Sequence, residues 1–417
     1  MELNISREII CLKHLEGIVY FAIFAEEKRF FPSRIQMRNL AYLIILFLAF
    51  CPIKGLAQEQ VFQGRVLDAE TGEPLPYVNI SIGKGQGTLT NIEGDFKLTI
   101  GEEDVVVFSY VGYDKQKIKA DKLSEVIRLK PYSTTMKEVT VLPVDYDKVL
   151  KRTIDNLKDD FRNQGEWFRR YFFRTMIEKG EESYIAEAFV KAFSVVNIRS
   201  AEIISGLEGY DKEASKGKLN VQSSNIHKLI EVGPRTVDSP FWSNSTKPLQ
   251  HYTFTRHYYD MKCQNIYSEE GEVLYKIEFT MNEKVKSEYT VKPYITGTAY
   301  IDAETCKLLR FDGSCNNYYM YTGLLPYYTT IDFQLEYDYS QGVASVSHLA
   351  ISGCNEFLFY RALLFAIEEN KVSKKRIKGS GYNIVTALAE AGFDESLWSK
   401  YDIVKRTKEE ERIAFGK

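Results

Sequence analysis

Histidine is scarce in this chain: there are five in 417 residues, and none begins an H-x-x-E pair. The usual opening of a zinc carboxypeptidase site is therefore missing. No G-x-S-x-G segment supplies a nucleophile elbow. Charge of one sign is lacking too. With 54 basic and 57 acidic residues the net charge is −3, so no nucleic-acid partner is expected. The apolar run Ala41 to Phe50 falls short of the roughly 20 residues that a membrane-crossing helix needs. Tryptophan is limited to 3, whereas Tyr and Phe number 28 and 25. Those two aromatics fit pleated, half-buried surfaces, so the composition leans toward sheet.

Met37 opens a three-part export signal. Arg38 is its basic region, Ala41 to Phe50 its apolar core, and Gly55-Leu56-Ala57 the small residues that a signal peptidase reads. Cleavage is expected after Ala57. Residues 37–57 are then a signal peptide, and residues 1–36 an extension from a start codon placed too early. The alternative is a cytoplasmic tail on a signal anchor. Cys51 follows Phe50 rather than a small residue, so lipidation is not expected. The mature chain keeps Cys263, Cys306, Cys315 and Cys354. An oxidising compartment permits disulfides, and four cysteines allow three pairings among which the sequence does not choose. Cys306 and Cys315 fall near each other if a hairpin joins them. Their spacing is not that of a paired C-x-x-C zinc site.

Residues 58–130 read as one small module. Val61–Leu67 and Tyr77–Ile82 have strand character, separated by the turn "DAETGEPLP". Thr88–Thr90 and Phe96–Ile100 follow as strands, with "NIEGD" as a hairpin turn between them. In that turn Gly94 supplies a positive φ, and Asn91 and Asp95 bond their own backbone. Asn91, Glu93 and Asp95 alternate as a calcium loop would, but the set is too short for one. "DVVVFSYVGYDKQKIKA" and "SEVIRLKP" complete about seven short strands, the pattern of a β-sandwich. The segments "GRVLDAETGEPLPYVNI", "GTLTNIEGDFKL" and "FSYVGY" are similar to the carboxypeptidase regulatory-like domain. That resemblance covers about Val61 to Lys130. It implies a transthyretin-like sandwich of the kind common in Gram-negative envelope proteins, including the N-terminal extension of TonB-dependent receptors, and it implies no peptidase activity.

Residues 131–144 read as a linker, and residues 145–417 as an α+β domain. After a similar "EVTV" segment, TonB-dependent receptors continue into a plug and a 22-stranded barrel, for which the remaining chain is too short. Asp145–Asn163 is predicted helical, because Leu150, Ile154, Leu157 and Phe161 form one apolar stripe. Tyr171, Phe173 and Thr175 alternate with Phe172, Arg174 and Met176 before a turn at Lys179-Gly180. Residues 197–250 are polar and read as a long surface excursion, the first place to look for a binding edge. The alternative is a helical insertion or mobile loop. From His251 onward strands are predicted, including "HYTFTRHYYD" and the run in which Ile331, Phe333, Leu335, Tyr337 and Tyr339 oppose Asp332, Gln334, Glu336 and Asp338. The fold class expected is mainly β: the sandwich, then a curved antiparallel sheet of six or more strands around a helix, half-barrel-like, with an apolar, aromatic concave face. This arrangement resembles the periplasmic lipoprotein-carrier fold. "TGTAYIDAETCKLLRFDG" and "SLWSKYDIVKRTKEEE" also resemble the C-terminal parts of uncharacterised envelope proteins that carry the same N-terminal module.

No catalytic, cofactor-binding or metal-binding residue is assigned. His251, His257 and Asp260 form an H-x5-H-x2-D set, but on a strand the two histidines are too far apart for one ion. Asp332, Glu336 and Asp338 have the look of a solvated face rather than of two carboxylates across a cleft. "GKGQG" lacks the following helix of a phosphate loop. "KVSKKRIKG" suits anionic headgroups or a solvated connector. The function expected is non-enzymatic, without a cofactor. The protein is exported to the periplasm or outer membrane, the sandwich serves as a docking module, and the curved sheet binds a partner protein or an apolar ligand, with membrane association permitted. The alternatives are a lipid or lipoprotein carrier, and an envelope hydrolase with its site in 197–260.

Overall fold

In the computed structural model the described residues are 59–83, 86–134, 144–163, 167–193, 198–211, 239–242, 247–287, 292–321, 326–354, 359–368, 371–372, 377 and 384–415. Residues 1–58, on which the extension and the signal peptide are read, lie outside them.

The first body has seven strands: β1 (Gln60–Asp68), β2 (Asn79–Ser81), β3 (Gly87–Leu89), β4 (Asp95–Ile100), β5 (Val105–Ser109), β6 (Gln116–Lys119) and β7 (Val126–Leu129). They form two sheets, ordered β4-β1-β7 and β3-β2-β5-β6. Alternation decides what each strand buries. In β4, Phe96, Leu98 and Ile100 face inward and Lys97 faces out. Val66, Val78, Ile80, Phe96, Leu98 and Phe108 close the core between the sheets.

The sandwich is as expected, but "NIEGD" is not a hairpin turn. β3 pairs with β2, and β4 pairs with β1, so the segment carries the chain from one sheet to the other. Asn91 Oδ1 accepts from the Glu93 and Asp95 N–H groups, which fixes the corner locally. Asp95 was expected to bond its own backbone; its carboxylate instead meets Arg65 and Lys405. Gly94 has φ +76, and a Cβ there would stand 2.6 Å from the Val66 carbonyl oxygen of β1. The corner therefore packs onto the facing sheet rather than folding back in plane. Gly94→Ala meets both a positive φ and a backbone clash. It is expected to cost about 1–3 kcal/mol in urea unfolding; an unchanged midpoint would refute this account of the corner.

The larger body begins with helix α1 (Tyr146–Arg162). Asp145 caps it by accepting from the Lys148 N–H, and Val149, Leu150, Ile154 and Leu157 are buried on one face. Its strands are β8 (Trp167–Lys179), β9 (Glu182–Phe193), β10 (Arg199–Tyr210), β11 (Tyr259–Tyr267), β12 (Val273–Met281), β13 (Tyr294–Asp302), β14 (Leu308–Tyr321), β15 (Pro326–Asp338), β16 (Ser345–Cys354), β17 (Phe359–Ala366) and the short β18 (Lys371–Val372). Ten of them form one curved, unclosed antiparallel sheet in the order β10-β9-β8-β17-β16-β15-β14-β13-β12-β11, and β18 pairs with β8. Short helices α2 (Thr253–Tyr258) and α3 (Glu283–Lys286) flank β11 and β12, and α4 (Ile384–Ala391), α5 (Glu395–Trp398) and α6 (Lys408–Phe415) follow the sheet.

The inner face of the sheet is aromatic and apolar, as expected, and it is filled. The buried stripe of α1 packs there beside Tyr171, Phe173, Phe279 and Phe311. Phe241 and Trp242 are fully buried in the same cluster, with the Phe241 ring 5.5 Å from Phe279 and 5.4 Å from Phe311. This corrects the reading of 197–250 as a surface excursion. Residues 199–210 are a strand of the sheet, and Phe241-Trp242 joins its core. Residues 212–238 and 243–246 lie outside the described residues. "HYTFTRHYYD" is not all strand either, because α2 occupies 253–258 before β11 begins. Cys306 sits in the β13–β14 turn, whereas Cys315 lies opposite Ile295, seven positions past Leu308 along β14. That is about 20 Å of strand, far beyond disulfide reach. Cys263, Cys306 and Cys315 are free thiols.

The outer face is also covered. Tyr77 and Leu89 of the sandwich join Phe172, Phe189, Leu363 and Phe365 in a second apolar cluster. Trp398 closes it, with its ring 4.8 Å from Phe189. Asp402 clamps the edge of β4 by accepting from the Thr99 N–H at 2.9 Å and its hydroxyl at 2.8 Å.

Candidate functional site

Where the sandwich rests on β14, β15 and β16, the seam is polar. Register dictates its composition. Arg310 pairs with Glu336, Glu336 with His348, and Asp312 with Gln334, while Phe311, Leu335 and Leu349 between them point into the core. The polar side chains therefore form one patch on the outer face, and Tyr110 comes down onto it from the end of β5.

Arg310 donates to Asp312 Oδ1 at 2.8 Å, to the Tyr110 hydroxyl at 2.7 Å and to the Val111 carbonyl at 3.3 Å. Its guanidinium stands 4.1 Å from the Tyr110 ring centroid. The Tyr110 hydroxyl donates to Gln334 Oε1 at 3.3 Å, and Gln334 Nε2 lies 2.9 Å from His348 Nε2. An amide NH2 can only donate, so His348 Nε2 accepts and the ring proton resides on Nδ1, which has no partner. The bonds thus run in one direction, from a cation through a phenol and an amide to an imidazole, and each polarises the next.

Glu336 stands outside this chain. Its Oε2 is sealed from solvent and accepts no hydrogen bond. Burial pushes its carboxyl up to about 8, although Arg310 works against the rise. Burial, helped by Arg310, pulls His348 down to about 3. At neutral pH the pair is an acid holding its proton beside an imidazole without charge. The imidazole's accepting nitrogen is taken by an amide rather than by a hydroxyl or thiol, so the contact that activates a nucleophile is not made.

Two open grooves meet at this point. One, of about 690 Å³, runs past Asn79, Ser81, Arg169, Asp338 and Glu368; the other, of about 680 Å³, past Tyr113, Tyr132, Glu272, Asp302 and Glu304. Ser109, Lys115, Leu309 and Glu336 line both. Asp338 is held by Arg169 at 2.7 Å. Among the three carboxylates read as a solvated face, Asp332 is exposed and accepts from Ser314, but Glu336 lies under the sandwich. That reading is corrected, because the cover comes from a part of the chain more than two hundred residues away.

The other sequence candidates do not converge. His251 precedes α2 and His257 lies within it, its ring against Tyr258, so neither is on a strand. Asp260 accepts from Asn282 at 3.1 Å. Among the described residues no three His, Cys, Asp or Glu side chains are grouped to hold a metal ion. Lys84 and Gly85 of "GKGQG" and most of "KVSKKRIKG" lie outside the described residues.

A mainly β protein with a two-sheet sandwich set on a large open sheet is the class that this fold defines. Within it, residues 62–141 match the family model of the CarboxypepD_reg-like domain, and the sandwich is such a domain. TonB-dependent receptor SusC of Bacteroides thetaiotaomicron is 32% identical over 117 residues, 27% of this chain. TonB-dependent receptor P3 of Formosa agariphila is 26% identical over 108 residues, 25% of this chain. Both alignments span 11% of the receptor's own length. A solved DUF1329 family protein from Desulfovibrio piger is 12% identical and covers 57% of this chain and 95% of its own, at a TM-score of 0.24. A likeness that loose bears on neither fold nor function.

Proposed function

We propose that this is an exported, non-catalytic protein of the cell envelope that binds a partner protein along the seam between the sandwich and the sheet. The two grooves that join at Glu336 and Leu309 carry this reading. They are open and mixed in polarity, as a rim that receives a polar protein segment is. The apolar inner face, where a lipid carrier would hold its cargo, is occupied by α1, Phe241 and Trp242. The envelope location is supported by the export signal read at residues 37–57 and by the names of the matched receptors.

The test is a photoreactive residue at Ser340 in one groove or Glu304 in the other, both exposed, with exposed Lys151 on α1 as control. Native mass spectrometry of the protein from its own envelope should show a defined protein complex. The cross-links should come from the two groove positions and not from Lys151. A co-purified lipid without a protein would replace this reading with the carrier. Cross-links from Lys151 alone would move the interface elsewhere.

A further inference from the structure

Away from the seam, the sandwich, the outer sheet face and the C-terminal segment meet around a small pocket. Tyr77, Asn91 and Ile92 line it from the sandwich, Arg174 and Arg361 from β8 and β17, and Glu410 from α6. It has room of about 10 Å³, enough for one solvent-sized occupant.

Two donors in its wall have no acceptor. Asn91 is only 3% exposed, and its Nδ2 is unpartnered because Oδ1 is spent on the corner turn. Arg361 Nε is likewise buried and unpartnered. The charges around the pocket do not balance either. Among the described residues, Arg174, Arg361 and Arg406 have Glu187 and Glu410 as their carboxylate partners. Glu187 is held by Arg174 and Arg406. Glu410 Oε2 accepts from Arg174 at 3.1 Å and from the Thr407 N–H at 2.9 Å. Only Glu410 Oε1 is left for Arg361, at 3.7 Å. The Tyr77 phenol, pushed up to about 12 by burial, stays protonated at neutral pH.

We infer that this pocket binds a single small anion, of which chloride is the natural probe, with Asn91 Nδ2 and Arg361 Nε as its donors. A water molecule would satisfy the donors and leave the surplus charge buried; an anion answers both needs. Bound there, it staples the sandwich corner to the sheet and to α6.

Melting of the full chain in chloride and in gluconate at equal ionic strength tests this. The wild-type protein is expected to melt about 2–4 °C higher in chloride. Asn91→Asp keeps Oδ1 for the corner but replaces the donor with a carboxylate that faces Arg361, and it should abolish the difference. Arg361→Met should do the same. A bromide soak of wild-type crystals supplies a readout independent of the variants: an anomalous peak within hydrogen-bond distance of Asn91 Nδ2 is expected. Equal melting in both salts with no such peak means that the pocket holds water only, and the proposal fails.

Discussion

Replacing Glu336 with glutamine is expected to stabilise the protein, and to do so more strongly as the pH rises. The folded-state carboxyl is pushed up to about 8, whereas an unfolded glutamate titrates near 4.3. Between those values the folded chain keeps a proton that the unfolded chain releases. Rising pH therefore favours unfolding, by up to about 1.4 kcal/mol per unit, until the loss levels off above pH 8. His348 works in the opposite sense. Its folded value is pulled down to about 3, so between about 3 and 6.5 the unfolded chain binds the extra proton and stability rises with pH. From about 4.5 to 6.5 the two slopes oppose each other; above 6.5 that of Glu336 is left alone. The other charges facing this carboxyl are Arg310, Asp312 and Asp338, and Arg310 is already committed to Asp312 and Tyr110. Urea unfolding across the pH range should show wild-type stability falling from pH 6.5 to 8. Glu336→Gln should lack that fall and gain about 2 kcal/mol at pH 8, discounted for the side that opens to the grooves. Superimposable pH profiles would mean that the seam opens to water or that Glu336 finds a cation.

The strands and the helix could be read from local chemistry because each answers to a short-range rule. Asp145 caps α1 and its stripe is buried; Ile331, Phe333 and Leu335 face the core as their alternation requires. What escaped the sequence was set by chain brought from far away. Gln334 and Glu336 alternate as an exposed edge would, and nothing near them announces that Tyr110 will lie on top. The pairing of β3 and β4 escaped for a related reason. "NIEGD" carries the chemistry of a tight turn, and that chemistry does not say whether the chain returns in plane or crosses to the facing sheet. One signal was available. In β8 and β9 both faces are apolar, with Tyr171, Phe173 and Ile177 on one side and Phe172 and Met176 on the other. A strand apolar on both sides is buried on both, so something had to cover the outer face. Arg174, sitting within that outer apolar row, was the sign that the cover carries carboxylates.

That arginine is where the largest loss is expected. Arg174 is 4% exposed at its side chain and donates to Glu187 Oε1 at 2.6 Å, to Glu410 Oε2 at 3.1 Å and to the Val404 carbonyl at 2.6 Å. One guanidinium thus joins β8 to β9 and fastens the C-terminal segment across them. In Arg174→Met the fully buried Glu187 keeps only Arg406, and the Val404 carbonyl loses its donor. Glu187 is then left with one cation in place of two, and Glu410 with the Thr407 N–H and a distant Arg361; taking one partner out of a buried charge network leaves the others under-satisfied, so a loss of about 3–5 kcal/mol is expected. Because Val404, Arg406 and Glu410 lie on the C-terminal segment, the damage should be local at first. Limited proteolysis should cut within residues 399–407 before the sandwich or the sheet is touched. The triple change Arg174→Met, Glu187→Leu, Arg406→Met removes three of the four buried charges, leaving Glu410 to the Thr407 N–H and Arg361, and should recover part of the stability lost, since apolar side chains of similar volume match the surrounding cluster. If the triple variant is less stable than Arg174→Met alone, the network stabilises the fold outright, and burial of its charges is not the dominant cost.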